Sequence, residues 1–491
     1  METYRTALVL GYGRSGRAAE RLLHSEGTEV LVLAEESAGL PDILRVVEKT
    51  QFEVCIVSPG FALSHPWICA VCEAGVPLLP ELELGWSRHR GKTVAVTGSN
   101  GKSTAVKWIL EMLQLAGLKA AIGGNYGIPA CEAVLDHPDL DWLVLEVSSF
   151  QLETVREFHA EVAVLLNVLP NHLDRHETMA VYRRTKARIF GSSLELIAKP
   201  KAGVVRASIP IEHANAAARL SGKGVLPQTG STRYTHPGST RYTQPGFANI
   251  SQGAVCLAPA NLLPQLKADL GGAKRNWITF GTPNADYFFK NGQVFHGSES
   301  VMDLSGTPFD SPVLGGCTGA AVAAVTHACG VPFNVAAEAA RRFEPLPHRL
   351  QRVGEIGGVA YINDSKATNL AAMAVALKTC GRNIHLIAGG VPKESDYTFI
   401  KEILAERIRS IYLVGQVSRA MYQAWNGVCL CVECGTLETA FNTAQNAAKP
   451  GETILLSPGC ASFDQFLSFE ERGERFMALF QESVQGGGDA S

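Results

Sequence analysis

Residues 94–113 read VAVTGSNGKSTAVKWILEML: a short apolar run, a turn of Thr97, Gly98, Ser99, Asn100 and Gly101, and an amphipathic helix opened by Lys102, Ser103 and Thr104. A strand that stops in such a turn and re-enters as a helix leaves several backbone N–H groups without a carbonyl partner. The helix dipole puts partial positive charge at the same place. That is a cradle for phosphate. Lys102 adds a mobile cation, and the hydroxyl of Ser103 or Thr104 can sit on Mg²⁺. The match to the strict G-x-x-x-x-G-K-[ST] loop is partial, because position 96 is Val. The turn points to ATP and to an α/β unit built around it.

The chain has 491 residues, room for about three domains at ~100–200 residues each. A net charge of −3 gives no global reason to bind nucleic acid or an anionic membrane. The first residues run straight into a strand without a signal-peptide pattern, and no apolar run approaches the ~20 residues of a membrane span. Twelve scattered cysteines fit a reducing cytoplasm. Cys69/Cys72 and Cys431/Cys434 form two Cys-x-x-Cys pairs, but in different units, the first in a helix-like run. A shared zinc site is therefore disfavoured.

Taken in order, residues 5–33 alternate strand, turn, helix, strand, with Gly11-x-Gly13-x-x-Gly16 opening the helix and Glu35 following. The pattern resembles a dinucleotide fingerprint. The safer inference is a turn for the phosphate or diphosphate of a nucleotide-like ligand. A second apolar run, 54–57, ends in Ser58-Pro59-Gly60. Residues 1–90 thus read as a small Rossmann-like domain. Residues 91–343 form a central domain around the phosphate loop, with a mostly parallel sheet. Its strand at 142–145 delivers Glu146, a carboxylate placed to ligate Mg²⁺. The strand at 162–166 delivers Asn167 to His176, where His172, Asp174 and His176 make a polar cluster suited to metal or phosphate. Tyr182 and Lys186 share one face of the next helix. Residues 230–245 hold a tandem octad, GSTRYTHP then GSTRYTQP, read as a duplication in a surface loop. The runs NWITFG and YFFKNGQVF suggest that a small antiparallel sheet closes the domain. Residues 344–491 return to strand–turn–helix alternation, a doubly wound Rossmann-like third domain. Its turns carry Asp364, Lys366, Thr368, Lys393 and a Ser-Pro-Gly at 457–459. Three α/β units with such turns suit an ATP-dependent transferase or ligase with two further substrates.

The order of TGSNGKST, LEVSSFQLE, NHLDRH, the Tyr182…Lys186 helix, PHRL, NDSKATN and LSPGCASFDQFLSFEERGERF resembles that of the Mur ligases. With Ser58-Pro59-Gly60, the last motif is most similar to the branch that adds D-glutamate to UDP-N-acetylmuramoyl-L-alanine in peptidoglycan precursor synthesis. The resemblance covers nearly the whole chain except about 191–310. It implies a cytoplasmic, monomeric enzyme using ATP and Mg²⁺, in which a substrate carboxylate is phosphorylated and the acyl phosphate is then taken by an amine. It implies roles for residues as well. Gly98, Ser99, Asn100, Gly101, Lys102, Ser103 and Thr104 would hold ATP phosphates, with His348 and Arg349 nearby and Asp364 on the ribose. Ser103 (or Thr104) and Glu146 would hold one Mg²⁺, and His172 a second. Lys186 matches a position that carries a carbamate in the family. Ser15 and Gly16 match the uridine-diphosphate turn and Asn125 the muramoyl side. Lys366, Thr368, Lys393, Ser462 and Phe469 match positions near D-glutamate, where cations and hydroxyl donors suit a dicarboxylate.

There are departures. The family's adenine-contacting His-Asn-x-x-Asn should fall near LGGCTGAA, where this chain has Cys317, Thr318 and Ala321. Adenine recognition is expected to be altered. Glu394 follows Lys393 where the family has Gly. Two alternatives stand beside the D-glutamate ligase: a Mur-type ligase for another amino acid, and a nucleotide-binding regulator without turnover. Intact Lys102, Glu146, His172 and Lys186 oppose the regulator.

Overall fold

The computed structural model describes residues 3–35, 38–191, 254–272, 274–393 and 396–488. The 230–245 repeat and Glu394 lie outside the described residues. Among the described residues the backbone forms three sheets. The first has strands β1 (Thr6–Leu10), β2 (Glu29–Leu33), β3 (Val54–Val57) and β4 (Leu78–Pro80) in the order β2-β1-β3-β4, every pair parallel. Parallel neighbours need crossover helices, and strands β1 and β3 under that cover are almost entirely apolar, as TALVL and VCIV are.

The central sheet contains β5 (Lys92–Thr97), β6 (Ala120–Gly124), β7 (Trp142–Glu146), β8 (Val162–Leu165), β9 (Val255–Pro259), β10 (Asn276–Gly281), β11 (Tyr287–Lys290), β12 (Gln293–His296) and β13 (Glu299–Asp303). Their order is β13-β12-β11-β10-β9-β8-β5-β7-β6. The strands from β6 to β11 are parallel, and β11, β12 and β13 pair antiparallel. Of the runs expected in a small antiparallel sheet, YFFKNGQVF does form the antiparallel pair β11–β12, but at the edge of the large sheet, and NWITFG is β10, parallel to both of its neighbours. Backbone pairing through β10 and β11 extends the core instead of starting a new one.

The third sheet takes β14 (Gln351–Ile356), β15 (Val359–Asn363), β16 (Ile384–Gly389), β17 (Ile408–Val414), β18 (Leu430–Gly435) and β19 (Thr453–Leu456) in the order β14-β15-β19-β16-β17-β18. Only β14 runs antiparallel to its neighbour.

The helix Lys102–Leu115 buries Ala105, Val106, Trp108, Ile109, Met112 and Leu113, a stripe at helical spacing. Trp108 is fully buried, stacks on Phe309 at 4.1 Å and donates its indole N–H to Ala336 O at 2.9 Å. Truncating such a ring costs about 3–5 kcal/mol, so the helix behind the phosphate loop is firmly seated. The first unit is not isolated from the second. The helix Glu81–Arg88 packs on the helix Ala130–Asp136 so closely that a Cβ on Gly85 would lie 2.5 Å from the Ala130 backbone. Val9 and Leu22 therefore share one apolar core with Leu143 and Leu145. No helix among the described residues is long and apolar enough to cross a membrane.

Candidate active site

The C-terminal ends of parallel strands share an edge, and the polar turns gather there. At the end of β5, Gly101 (φ +84°) starts the helix with no side-chain cap, which leaves the N-terminal amides of Lys102, Ser103 and Thr104 for a ligand. The amides of Ser99 and Asn100 are arranged differently from the sequence expectation. Both donate to Asn167 Oδ1 at 3.0 Å, and Asn167 Nδ2 donates back to Asn100 O at 3.1 Å. These two amides shape the loop, and the open donors lie at the helix start. Lys102 Nζ folds over the loop onto Gly98 O (3.0 Å) and Ser99 O (3.2 Å).

Lys186, from the helix Met179–Ala187, reaches the same loop: its Nζ donates to Gly98 O at 2.9 Å and lies 4.6 Å from the Tyr182 ring centroid. The two residues share a face, as their spacing predicts, and both are buried. Burial, then the Lys102 charge, pushes the Lys186 amine well below its ordinary value. Burial likewise lowers Lys102, opposed by Glu146.

Glu146, at the end of β7, is 2% exposed. Its Oε1 accepts from Asn125 Nδ2 at 2.6 Å, while its Oε2 is buried without a partner. An orphaned carboxylate oxygen is costly unless a cation or donor meets it, so the site fits a metal ion. Ser103 is buried on the adjacent helix turn, whereas Thr104 Oγ1 accepts from Arg349 Nη1 at 3.1 Å. Asn125, expected on the muramoyl side, spends its side-chain amide on Glu146.

His172 has φ +55° and stands against the Phe150 ring, centroids 4.8 Å apart. Burial first, then Lys393, Lys186 and Lys102, pushes its imidazole down to about 3. It is neutral at physiological pH, the form that ligates a metal. His176 adds to the same downward pull on His172, and both rings pack on Phe150. His176 is the last residue of a one-turn helix and is buried with its Nε2 3.0 Å from Ser149 Oγ, beside the Phe150 and Tyr182 rings. The Asp174 side chain lies outside the described residues. Among the described residues no three His, Cys, Asp or Glu side chains converge as a metal site.

The third unit closes over the loop. Asn369 Nδ2 donates to Asn100 Oδ1 at 3.3 Å, beside the Arg349–Thr104 bond. Lys366 Nζ stands 3.8 Å from the Phe469 ring centroid, and burial, with Arg349 and Lys102, takes it to about 8 against the pull of Glu146 and Glu470. Lys393 Nζ donates to Thr368 Oγ1 at 3.2 Å. Ser462 is 2% exposed with an unpartnered Oγ. His348 and Asp364 are buried, Asp364 within reach of the Arg349 charge. His348 Nδ1 meets Asn363 Nδ2 at 3.0 Å, above Gly473, where a Cβ would come within 2.2 Å of that nitrogen. Asp364 accepts from Leu350 N (3.1 Å) and Ser457 Oγ (2.8 Å), and burial raises it to about 7.

In the first unit, Gly11 and Gly16 are packed so that a Cβ on Gly16 would sit 2.0 Å from Gly11 O. Ser15 is half-buried at the helix start, and Arg14 Nη2 donates to Gly127 O at 2.9 Å, joining this turn to the glycine turn of the second unit.

Three residues that sequence reasoning passed over belong here. Asn167 braces the phosphate loop. Arg472, 2% exposed, holds Ser365 Oγ, Ser365 O and Cys460 O and keeps one Nη1 unpartnered beside the third unit's turns. Arg175 ties the second unit to the first. Of the departing residues, Cys317 lies under the loop, its Sγ 3.8 Å from Asn167 Nδ2 and 3.5 Å from Leu166 O, and Ala321 is core.

Residues 96–217 match the Mur ligase middle domain, and residues 348–460 match the Mur ligase glutamate ligase domain. The UDP-N-acetylmuramoylalanine–D-glutamate ligase of Acidobacterium capsulatum is 33% identical, over 97% of this chain and 96% of its own length. The chain belongs to the Mur ligase family. Within the family, ligases of the same name from Pelotomaculum thermopropionicum (33%) and Pseudomonas fluorescens (31%) are each covered over 97% of both chains. Two solved structures share the Mur ligase fold. MurF ligase from Thermotoga maritima, in complex with ADP, has a TM-score of 0.55 at 14% identity, covering 99% of this chain and 100% of that one. The bifunctional folylpolyglutamate synthase/dihydrofolate synthase of Yersinia pestis, complexed with AMPPNP and a Mn ion, has a TM-score of 0.52 at 16% identity, covering 90% and 98%.

Proposed function

We propose that the protein is an ATP-dependent ligase that joins D-glutamate to UDP-N-acetylmuramoyl-L-alanine in peptidoglycan precursor synthesis. The observation that carries the reading is the meeting of Lys102, Lys186, Glu146 and His172 at one loop, with Lys366 and Arg349 brought over it from the third unit. Similarity over almost the full chain to ligases of that name selects the substrates. We take the domains as residues 1–90 for the UDP-substrate, 91–343 for ATP and 344–491 for the amino acid. The reaction belongs in the cytoplasm, where ATP is, and the chain acts as a monomer.

In the first step the L-alanyl carboxylate attacks the γ-phosphorus of ATP. The bond to the bridging oxygen breaks, giving an acyl phosphate and ADP. In the second the D-glutamate amine attacks the acyl carbon, the tetrahedral intermediate expels phosphate, and loss of a proton from nitrogen leaves the amide. Lys102 and the amides at the helix start hold the β- and γ-phosphates and offset charge that grows during transfer. Ser103 and Glu146 would hold one Mg²⁺, and His172 a second beside a carbamylated Lys186. When bound, the ions neutralise phosphate oxygens. Lys366, Thr368, Lys393, Ser462 and Phe469 line the place for D-glutamate. Ser15 and Gly16 take the diphosphate. Closure of the third unit over the loop excludes water, which would otherwise hydrolyse the acyl phosphate.

The test is phosphate release with ATP, Mg²⁺ and UDP-N-acetylmuramoyl-L-alanine, offering D-glutamate, L-glutamate, meso-diaminopimelate or L-lysine. Release that requires D-glutamate and is lost in Lys102→Ala supports the reading. Release with another amino acid moves the chain to another branch of the family. No release with any of them, GTP included, leaves a nucleotide-binding regulator.

A further inference from the structure

The one-turn helix Leu173–His176 carries a side chain that reaches across to the first unit. Arg175 donates Nη1 to Pro59 O at 3.0 Å and Nη2 to Phe61 O at 2.7 Å, with Gly60 O 3.5 Å away. These carbonyls belong to the turn after β3. That turn lies against the first glycine of the first unit. Ser58 Oγ donates to Gly11 O at 3.3 Å, and a Cβ on Gly11 would touch Ser58 Oγ at 2.8 Å and the Phe61 ring at 3.0 Å. One end of Arg175 therefore fixes the wall of the turn that carries Ser15 and Gly16.

The other side of the same guanidinium faces the phosphate-transfer site. Nε and Nη2 form a two-point ion pair with Glu153 at 3.0 and 2.6 Å, the side chains only 14% and 11% exposed. Glu153 ends the short segment that begins at Glu146. The guanidinium carbon is 4.1 Å from the Phe150 ring centroid, and the same ring meets His172. A planar, five-donor group can satisfy two carbonyls and a carboxylate at once, which a lysine ammonium cannot do with fixed geometry. Arg175 thus joins the 58–61 turn to the segments that carry Glu146 and His172.

We propose that Arg175 is a positioning residue that couples the two nucleotide sites, so that binding of the UDP-linked substrate to the first unit and of ATP to the phosphate loop strengthen each other. The inference rests on the ligase reading above. Coupling of this kind is reciprocal and runs to about 5–150-fold in affinity.

The experiment is calorimetric titration of the full chain with Mg²⁺ and AMPPNP, with and without UDP-N-acetylmuramoyl-L-alanine, and the reverse pair. The wild type is expected to show at least about fivefold mutual tightening. Arg175→Gln is expected to bring the ratio below about twofold while AMPPNP alone binds within about threefold of wild type. Arg175→Lys should recover only part of the ratio, because it restores charge but not the fork. Glu153→Gln cuts the anchor while leaving the carbonyl bonds, and serves if Arg175→Gln does not fold. It too should lower the ratio. A ratio equal to wild type in whichever variant folds overturns the proposal, as does a wild type that binds both ligands independently. A wild type that does not bind the UDP-linked substrate at all defeats the ligase reading instead.

Discussion

Lys102 and Lys186 place their ammonium groups on one acceptor, the carbonyl oxygen of Gly98, at 3.0 and 2.9 Å. Two cations on a single neutral oxygen, Lys186 fully buried and Lys102 half-buried, are poorly compensated, and desolvation favours the neutral amine at each. A neutral buried amine is also what carbon dioxide reacts with. Adding it forms an N–C bond, releases a proton and turns Lys186 into an anion, which removes the repulsion.

This predicts that protein equilibrated with ¹³C-labelled bicarbonate gives a carbamate carbon resonance that Lys186→Ala lacks. Activity should fall by about 10²-fold or more in Lys186→Ala. A wild-type spectrum identical to that of the variant would show that Lys186 stays an amine.

Asn167 is predicted to be as necessary to nucleotide binding as the loop itself. It fixes the Ser99 and Asn100 amides and the Asn100 carbonyl, and Cys317 packs beneath it. Asn167→Ala leaves the Asn100 amide without its acceptor, worth about 1–3 kcal/mol, while Ser99 N keeps only the Asn167 backbone carbonyl at 3.1 Å. AMPPNP affinity measured by calorimetry should drop by about tenfold or more, with the affinity for the UDP-linked substrate alone unchanged.

The proposed D-glutamate site should lose its grip in alkali. Lys366 titrates at about 8, lowered chiefly by burial. Its charge is present below that pH and lost above it. The KM for D-glutamate should therefore rise as pH climbs past about 8, and Lys366→Arg, always charged, should flatten that rise. A KM profile in Lys366→Arg identical to wild type would assign the effect to another group.

Much of this site was legible because its signals are local. The phosphate loop announces itself within a few residues, and Glu146 follows from the apolar strand that ends on it. Tyr182 and Lys186 share a face by helical spacing alone. What the sequence hid depends on partners far along the chain. Arg175 and the 59–61 carbonyls are 114–116 residues apart, and Arg472 and Ser365 are 107 apart. Spacing left detail unread too: His172 and His176 both pack on Phe150, but the left-handed backbone at His172 and the Ser149 hydroxyl beside His176 come from contacts that spacing does not show. The same limit applied to β11, β12 and β13, whose hairpins were readable but whose place on the edge of the large sheet was not.

The central claim is that Lys102 and its loop serve phosphoryl transfer to a substrate carboxylate. It is tested most directly by labelling the L-alanyl carboxylate of UDP-N-acetylmuramoyl-L-alanine with ¹⁸O and weighing the phosphate released during D-glutamate addition. The account predicts that the label passes from carboxylate to phosphate as the acyl phosphate is broken by the amine, with no label transferred by Lys102→Ala. Unlabelled phosphate released by the wild type would contradict it, because ATP would then be hydrolysed by water and not spent on the carboxylate.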